Sequence, residues 1–287
     1  MKNIFVLGSI NTDLVIQAPY FPSKGETLTG SGFFIAQGGK GANQAVAASR
    51  LGGKVYMCGK VGNDKFGKAS LEALKKENID ITNIKIANCS SGLAIIIIAE
   101  KDNAIILERG ANYKIYREDV DAFLSLASKG DIFLTQLEIP LDIVDYALLK
   151  AKEIGMTTIL NPAPMDIKIK KSLKYVDLIL PNETELAQFG GEGELLKYAG
   201  TIIETCGGSG YKIITSKENT TYPCLKVNVL DTTSAGDTLC GGLAAHFASG
   251  FSLEESAKFG SFAASIACTK LGAQPSIPTV EEVKKYL

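Results

Sequence analysis

Between residues 54 and 180, short apolar runs of strand length alternate with stretches of helical periodicity. Residues 54–59 read as a strand and 66–78 as a helix with Leu71 and Leu74 on its apolar side. Helices over 117–128 and 141–153 then interleave with strands over 131–136, 157–160 and 176–180. Strands separated by helices pair in parallel, so this alternation predicts an α/β fold: a mostly parallel sheet with helices on both faces. One interval breaks the pattern. The isoleucine-rich strands at 91–99 and 104–107 are parted only by the polar turn Glu100-Lys101-Asp102-Asn103, which predicts an antiparallel hairpin standing off the main sheet.

The stretch over residues 231–250, DTTSAGDTLCGGLAAHFASG, carries the chemistry. Its second half places Leu239, Gly242, Leu243, His246 and Phe247 at the spacing of a helix with one buried face. Ser234, Ala235, Gly236 and Asp237 therefore fall at the helix start, where unpaired N–H groups and the helix dipole favour an anion. A carboxylate at the same point can take a proton. An anion cradle beside a general base is what moving a phosphoryl group to an alcohol requires. Asp and Ser also serve simply as helix caps, and the segment alone does not separate the two readings.

Other polar clusters stand at strand ends, where open α/β sheets bind ligands. The strand over residues 4–8 is followed by Asn11 and Asp13, two apart and so projecting to one side, with groups that suit sugar hydroxyls. Gln37-Gly38-Gly39-Lys40-Gly41-Ala42-Asn43 puts three glycines in four positions ahead of a helix over 43–51. It does not match the Walker loop. Asn182 and Glu185 stand three apart at a helix start, suited to waters on magnesium or to capping. Cys206-Gly207-Gly208-Ser209-Gly210 matches neither the hydrolase elbow nor the dinucleotide fingerprint. A last helix is expected from Ser252, capped with Glu255, to about residue 270.

Composition narrows the classes. Thirty basic against 31 acidic residues give a net charge of −1, no electrostatic case for nucleic acid or an anionic membrane. The longest apolar run, 93–99, is too short to span a bilayer. Six scattered cysteines without a C-x-x-C pair read as reduced, mostly buried thiols of a cytoplasmic protein. No targeting signal is expected, since Asn11 and Asp13 interrupt the first apolar run. One histidine, His246, leaves no room for His-based nucleophile or zinc chemistry, and its place on an apolar helix face reads as packing.

In order along the chain, GSINTD (8–13), GGKGANQAVAASRLG (38–52), QLEIPL (136–141), NPAP (161–164), PNETE (181–185), DTTSAGDTLCGGL (231–243) and GAQPSIP (272–278) resemble the ribokinase/PfkB family of sugar kinases. The resemblance runs from Gly8 to Pro278 and is nearest to the ribose-phosphorylating members. It implies a ribokinase-like α/β fold in a single domain over 1–287, with a small β-sheet lid drawn from about 14–37 and 91–110. It implies ATP-dependent phosphorylation of D-ribose at its 5-hydroxyl, with Asp237 as base and an anion hole at Ser234-Ala235-Gly236. Asn11, Asp13, Gly39, Lys40, Asn43 and Glu138 would bind the sugar. Asn182, Thr205, Gly207, Gly210, Gly236 and Ser261 would line the nucleotide site, with Glu185 sharing in Mg2+. Asp231, Thr233, Ala267, Lys270, Gly272 and Ser276 would hold a monovalent cation, K+ in the family, and lids would pair in a homodimer.

The chain departs from the family pattern at Ser234, where glycine is usual, at Cys240, where asparagine is frequent, and at Arg109 on a lid strand end. The interval between Asn182 and Thr205 is short, implying a trimmed helix on the nucleotide side that bears on base specificity. The rival readings are a kinase of deoxyribose, fructose or a nucleoside, and a sugar-binding protein without catalysis. A phosphate-binding hydrolase, which would consume ATP without any sugar, is a third.

Overall fold

A strand that is apolar on both sides needs partners at both edges and cover on both faces. Strand β1 (Asn3–Leu7) finds all of these. The computed structural model describes residues 1–100 and 102–287, and in it β1 pairs in parallel with β4 (Lys54–Gly62) and β8 (Ile132–Thr135). Outside β4 lies β5 (Asp80–Ala87), also parallel. Outside β8 come β9 (Thr157–Leu160), β10 (Leu178–Ile179) and β11 (Thr201–Thr205), all parallel, and then two antiparallel strands, β12 (Tyr211–Ile214) and β13 (Asn219–Tyr222).

The two-residue period of β1 divides the core. Ile4 and Val6 point into one layer, packed by α1 (Lys40–Arg50), α2 (Lys65–Lys76), α7 (Ala235–Ala248), α8 (Leu253–Ala267) and α9 (Val280–Lys284). Phe5 and Leu7 point into the other, under α3 (Arg117–Leu124), α4 (Leu141–Ile154), α5 (Glu183–Gln188) and α6 (Glu192–Leu195). A second sheet, in the order β3-β2-β6-β7, stands apart: β2 (Asn11–Gln17), β3 (Ser31–Gly38), β6 (Gly92–Ala99) and β7 (Asp102–Glu108). It carries exposed Phe33, Phe34, Ile35, Ile105, Ile106 and Leu107.

Several expectations need correction. The small sheet starts at Asn11 rather than 14, and β2 runs parallel to β6, so only β6–β7 is the expected hairpin. The turn expected there includes Lys101, which lies outside the described residues. Helix α1 begins at Lys40, inside the glycine-rich turn, and α3 ends at Leu124 rather than 128. The interval before Thr205 holds two short helices, α5 and α6. The helix capped by Ser252 and Glu255 is not the last, since α9 follows with its own Thr279–Glu282 capping box. All six cysteines are free, but only Cys58, Cys206 and Cys240 are buried.

The largest difference concerns α7. Its periodicity predicts one buried face, yet every residue from Asp237 to Ala245 is buried, while His246 and Phe247 are half-buried. The helix is wedged between α1 and α8, and its small residues permit the approach. A Cβ on Gly241 would meet the Gln44 carbonyl at 2.6 Å, and one on Gly242 would come within 3.1 Å of the Gly260 Cα. His246 packs its ring between Phe251 and Phe259, with Nδ1 3.4 Å from the Ser256 hydroxyl.

Candidate active site

Loops at the C-terminal ends of the parallel strands meet the start of α7 in a cleft of about 230 Å³. Its lining includes Lys40 from α1, Asn161 and Ala163 after β9, Asn182 and Glu185 after β10, and Thr205 of β11. Ser234, Ala235, Gly236, Asp237 and Cys240 supply the opposite side.

Asp237 is 6% exposed and held at both oxygens. Asn43 Nδ2 donates to Oδ2 at 3.1 Å and Gln44 Nε2 donates to Oδ1 at 2.9 Å. The N–H groups of the first helical turn do not behave alike. Ala235, expected in the anion hole, donates its N–H to the Thr232 carbonyl at 3.2 Å. Among the described residues, no protein acceptor takes the Ser234, Gly236 or Asp237 N–H, so these three are the donors left for an anion at the helix start. Beyond its chain neighbours and the backbone of its own helix, no protein atom lies within 4 Å of where a Gly236 side chain would begin.

Ser234 precedes the helix with φ 59, the left-handed region, which accounts for the glycine usual in the family at this position. Its hydroxyl does not cap α7 but donates to the Ala273 carbonyl at 3.1 Å. Cys240, another departure, is buried with its thiol pushed well up by burial. Arg109 stacks its guanidinium 4.4 Å from the Tyr113 ring centre.

The sugar-type residues are tied to the fold by separate sets of hydrogen bonds. The Lys40 N–H donates to Glu138 Oε2 at 3.1 Å, and the Ser9 hydroxyl donates to the same oxygen at 2.5 Å. Asn11, buried at the start of β2, receives Asn112 Nδ2 on its Oδ1 at 2.6 Å, so its own amide nitrogen faces away from that contact. Asp13 has its pKa pushed up to about 6, first by burial and then by the neighbouring Glu138 and Asp237 carboxylates. Burial works against the charge on Lys40, but Asp237, Glu138 and Glu185 outweigh it and raise its pKa. Gly39 is the N-cap of α1.

On the nucleotide side the capping reading of Asn182 holds, and the residue lines the cleft as well. Its Oδ1 accepts the Glu185 N–H at 2.8 Å while Glu185 Oε2 accepts the Asn182 N–H at 2.9 Å. Glu185 is raised by burial against the pull of the Asn182 N–H and Lys40. One carboxylate oxygen of Glu185 stays clear of the box. Gly207 begins the turn after β11, whereas Gly210 has a structural role: a Cβ there would collide with the Tyr222 carbonyl. Ser261 is buried in α8 and does not line the cleft.

The proposed cation residues are brought together only in part. Asp231 Oδ1 accepts the Thr233 N–H at 2.9 Å and hydroxyl at 2.6 Å, and Oδ2 accepts the Gly272 N–H at 2.9 Å. Burial opposes ionisation of Asp231, but these donors outweigh it and hold its pKa below the usual value. The Ala267 carbonyl already accepts the Lys270 N–H at 3.0 Å, the Lys270 ammonium is paired to Glu282 at 2.7 Å, and the buried Ser276 hydroxyl donates to Ala273. Of the six, Asp231 brings an oxygen donor that suits a hard cation, with both of its oxygens already accepting protein donors.

Ser9, Gln44, Asn112, Gln136 and Asn161 belong to this site and were not among the predicted residues. Gln44 follows Asn43 directly, and Gln136 and Asn161 close strands β8 and β9. Their strand-end positions were the one available signal.

A model of the pfkB family carbohydrate kinases matches residues 1–280. A ribokinase of Haemophilus influenzae is 40% identical over 100% of this chain and 98% of its own. A deoxyribokinase of Salmonella typhi is 34% identical over 99% of this chain and 98% of its own. A solved structure of Arabidopsis thaliana ribokinase complexed with ribose and ATP superposes with a TM-score of 0.88 at 28% identity, covering 99% of this chain and 98% of that one. By the extent of the family match and of these relatives, the chain belongs to the pfkB family of carbohydrate kinases.

Proposed function

We propose that this chain transfers the γ-phosphoryl group of ATP to the 5-hydroxyl of D-ribose. The observation that carries the reading is Asp237: a buried carboxylate, held at both oxygens, at a helix start where the Gly236 and Asp237 N–H groups lack protein acceptors. The hydroxyl proton passes to Asp237 as the sugar oxygen bonds to the γ-phosphorus. The bond from that phosphorus to the bridging oxygen breaks, and ADP leaves. The Gly236 and Asp237 N–H groups stabilise the charge gathering on the phosphoryl oxygens.

Asn11, Asp13, Gly39, Lys40, Asn43 and Glu138 bind the sugar hydroxyls in this reading. Asn182, Glu185, Thr205 and Gly207 face the nucleotide in this reading, and the free oxygen of Glu185 would help hold Mg2+. Mg2+ supplies neutralisation of the phosphate charge. Asp231 and the residues of the Gly272 loop would hold a monovalent cation, K+. Two copies pair through the exposed apolar faces of their small sheets, and ATP use together with six free cysteines supports a cytoplasmic setting.

The deoxyribokinase relative motivates a second reading, phosphorylation of deoxyribose. Measuring kcat/KM with MgATP across ribose, deoxyribose, fructose and a nucleoside decides the substrate. A clear preference for anything but ribose overturns the first reading, and ATP consumption that needs no sugar overturns both.

A further inference from the structure

We infer that Gln44 is a positioning residue for the general base, acting on Asp237 through a chain of buried amides that reaches Gln136. The inference deepens the reading above and rests on Asp237 being the base. Gln44 is fully buried in α1, so neither substrate can touch it. Its Nε2 donates to Asp237 Oδ1 at 2.9 Å and to Asn161 Oδ1 at 3.2 Å. Its Oε1 accepts Gln136 Nε2 at 2.7 Å.

This arrangement has one consistent orientation. A carboxylate only accepts, and the Asn161 amide is fixed by its own donation to the Leu180 carbonyl at 3.1 Å. Turning the Gln44 amide over would set its oxygen against two oxygens and its nitrogen against the Gln136 nitrogen. Gln44 is therefore locked as a donor to Asp237. The lock joins the ends of β8 and β9 to the first turn of α7.

Gln136 shows that the chain is more than packing. Its Oε1 is buried with no partner and lies where a Gly8 side chain would begin. An apolar side chain would fill the same space without stranding an acceptor. What an apolar side chain would not do is hold Gln44 in its donating orientation.

The two oxygens of Asp237 thereby acquire different duties. Oδ1 is tied to a group no ligand can displace. Oδ2 is tied at 3.1 Å to Asn43, one of the residues assigned to the sugar, whose Oδ1 accepts Gln274 Nε2 at 3.3 Å. Oδ2 is the oxygen that receives the proton.

The test is a double-mutant cycle on the full-length protein, with sugar phosphate formation followed to long times. Gln44→Met, near in size but without donor or acceptor, is expected to lower kcat about 10- to 100-fold with ribose KM changed less than about threefold. In an Asp237→Asn background the same change is expected to add nothing, because its target is gone. An equal loss in both backgrounds marks a merely structural residue and overturns the inference. So does a normal kcat in Gln44→Met. If that variant does not fold, Gln136→Met carries the test, with a smaller fall in kcat at unchanged KM expected and no fall overturning it. Near-normal turnover of Asp237→Asn alone defeats the base assignment instead, which keeps the two failures apart.

Discussion

The Asp231 carboxylate accepts the Gly272 N–H at 2.9 Å, tying the loop before α7 to the loop after α8 across 41 positions. The same carboxylate organises Thr233, so it sets the approach to the helix that carries Asp237. Replacing Asp231 with Ala removes the acceptor for three donors and is expected to cost about 1–3 kcal/mol. Urea unfolding reads that loss. Turnover of the unaltered protein should fall when K+ is replaced by a large organic cation at constant ionic strength; an unchanged rate removes the cation from the account.

Asp237→Asn keeps the shape of the side chain and removes the base. Turnover is expected to fall by about 10²–10⁴. Ribose binding by calorimetry should stay within a few-fold, because Asn43 and the other sugar-type residues remain. Loss of binding in step with turnover would instead make Asp237 an ordinary ligand.

Asp13 supplies a pH signature. Its ordinary value of 3.8 is raised to about 6 in the folded protein, so the folded chain holds this proton more tightly than the unfolded chain. The resulting stability is fully present below the unfolded value and is lost as pH rises through about 6. Ribose affinity runs the other way, since the ionised carboxylate is the better acceptor for a hydroxyl. Melting temperature and ribose affinity should thus trend oppositely across this window in the apo protein, and Asp13→Asn should flatten both trends. An Asp13→Asn variant with the original profile assigns the titration elsewhere.

Ser234 pits two small effects against each other. Its left-handed backbone costs about 1–2 kcal/mol, while its hydroxyl bond to Ala273 returns about 0.5–1.5 kcal/mol. Ser234→Gly is therefore expected to change stability by less than about 1 kcal/mol, with turnover retained. Ser234→Val loses the bond and keeps the strain, so its thermal melt should fall below that of both. Equal melts for Val and Gly would show that the backbone carries no strain.

Ile106 is 66% exposed on the outermost strand of the small sheet. If two copies meet there, Ile106→Glu should convert a dimer to a monomer by light scattering while leaving the protomer folded. A wild-type protein that scatters as a monomer at micromolar concentration ends the pairing proposal.

The parts of this molecule written in local pattern were legible, and those made by convergence were not. The parallel strands β1, β4, β8, β9 and β10 announce themselves through apolar runs, and the α7 start through S-A-G-D. Strand β5, with only Ile84 well buried, lacks a clean apolar run, and β12 follows a glycine-rich turn that reads as loop. The full burial of α7 comes from two helices distant in sequence. Likewise, Gln44, Gln136, Asn161 and Asp237 meet across 92 to 193 positions, so nothing in any one segment reveals that their amides face one another.

The glycines that seat α7 between its neighbours also leave it nowhere to go. Gly241 rests on the backbone of α1 and Gly242 on that of α8, in an interior packed too densely to yield. The Asp237 carboxylate is thus an anvil. A ligand that meets this carboxylate must come to a point set by the packing of three helices.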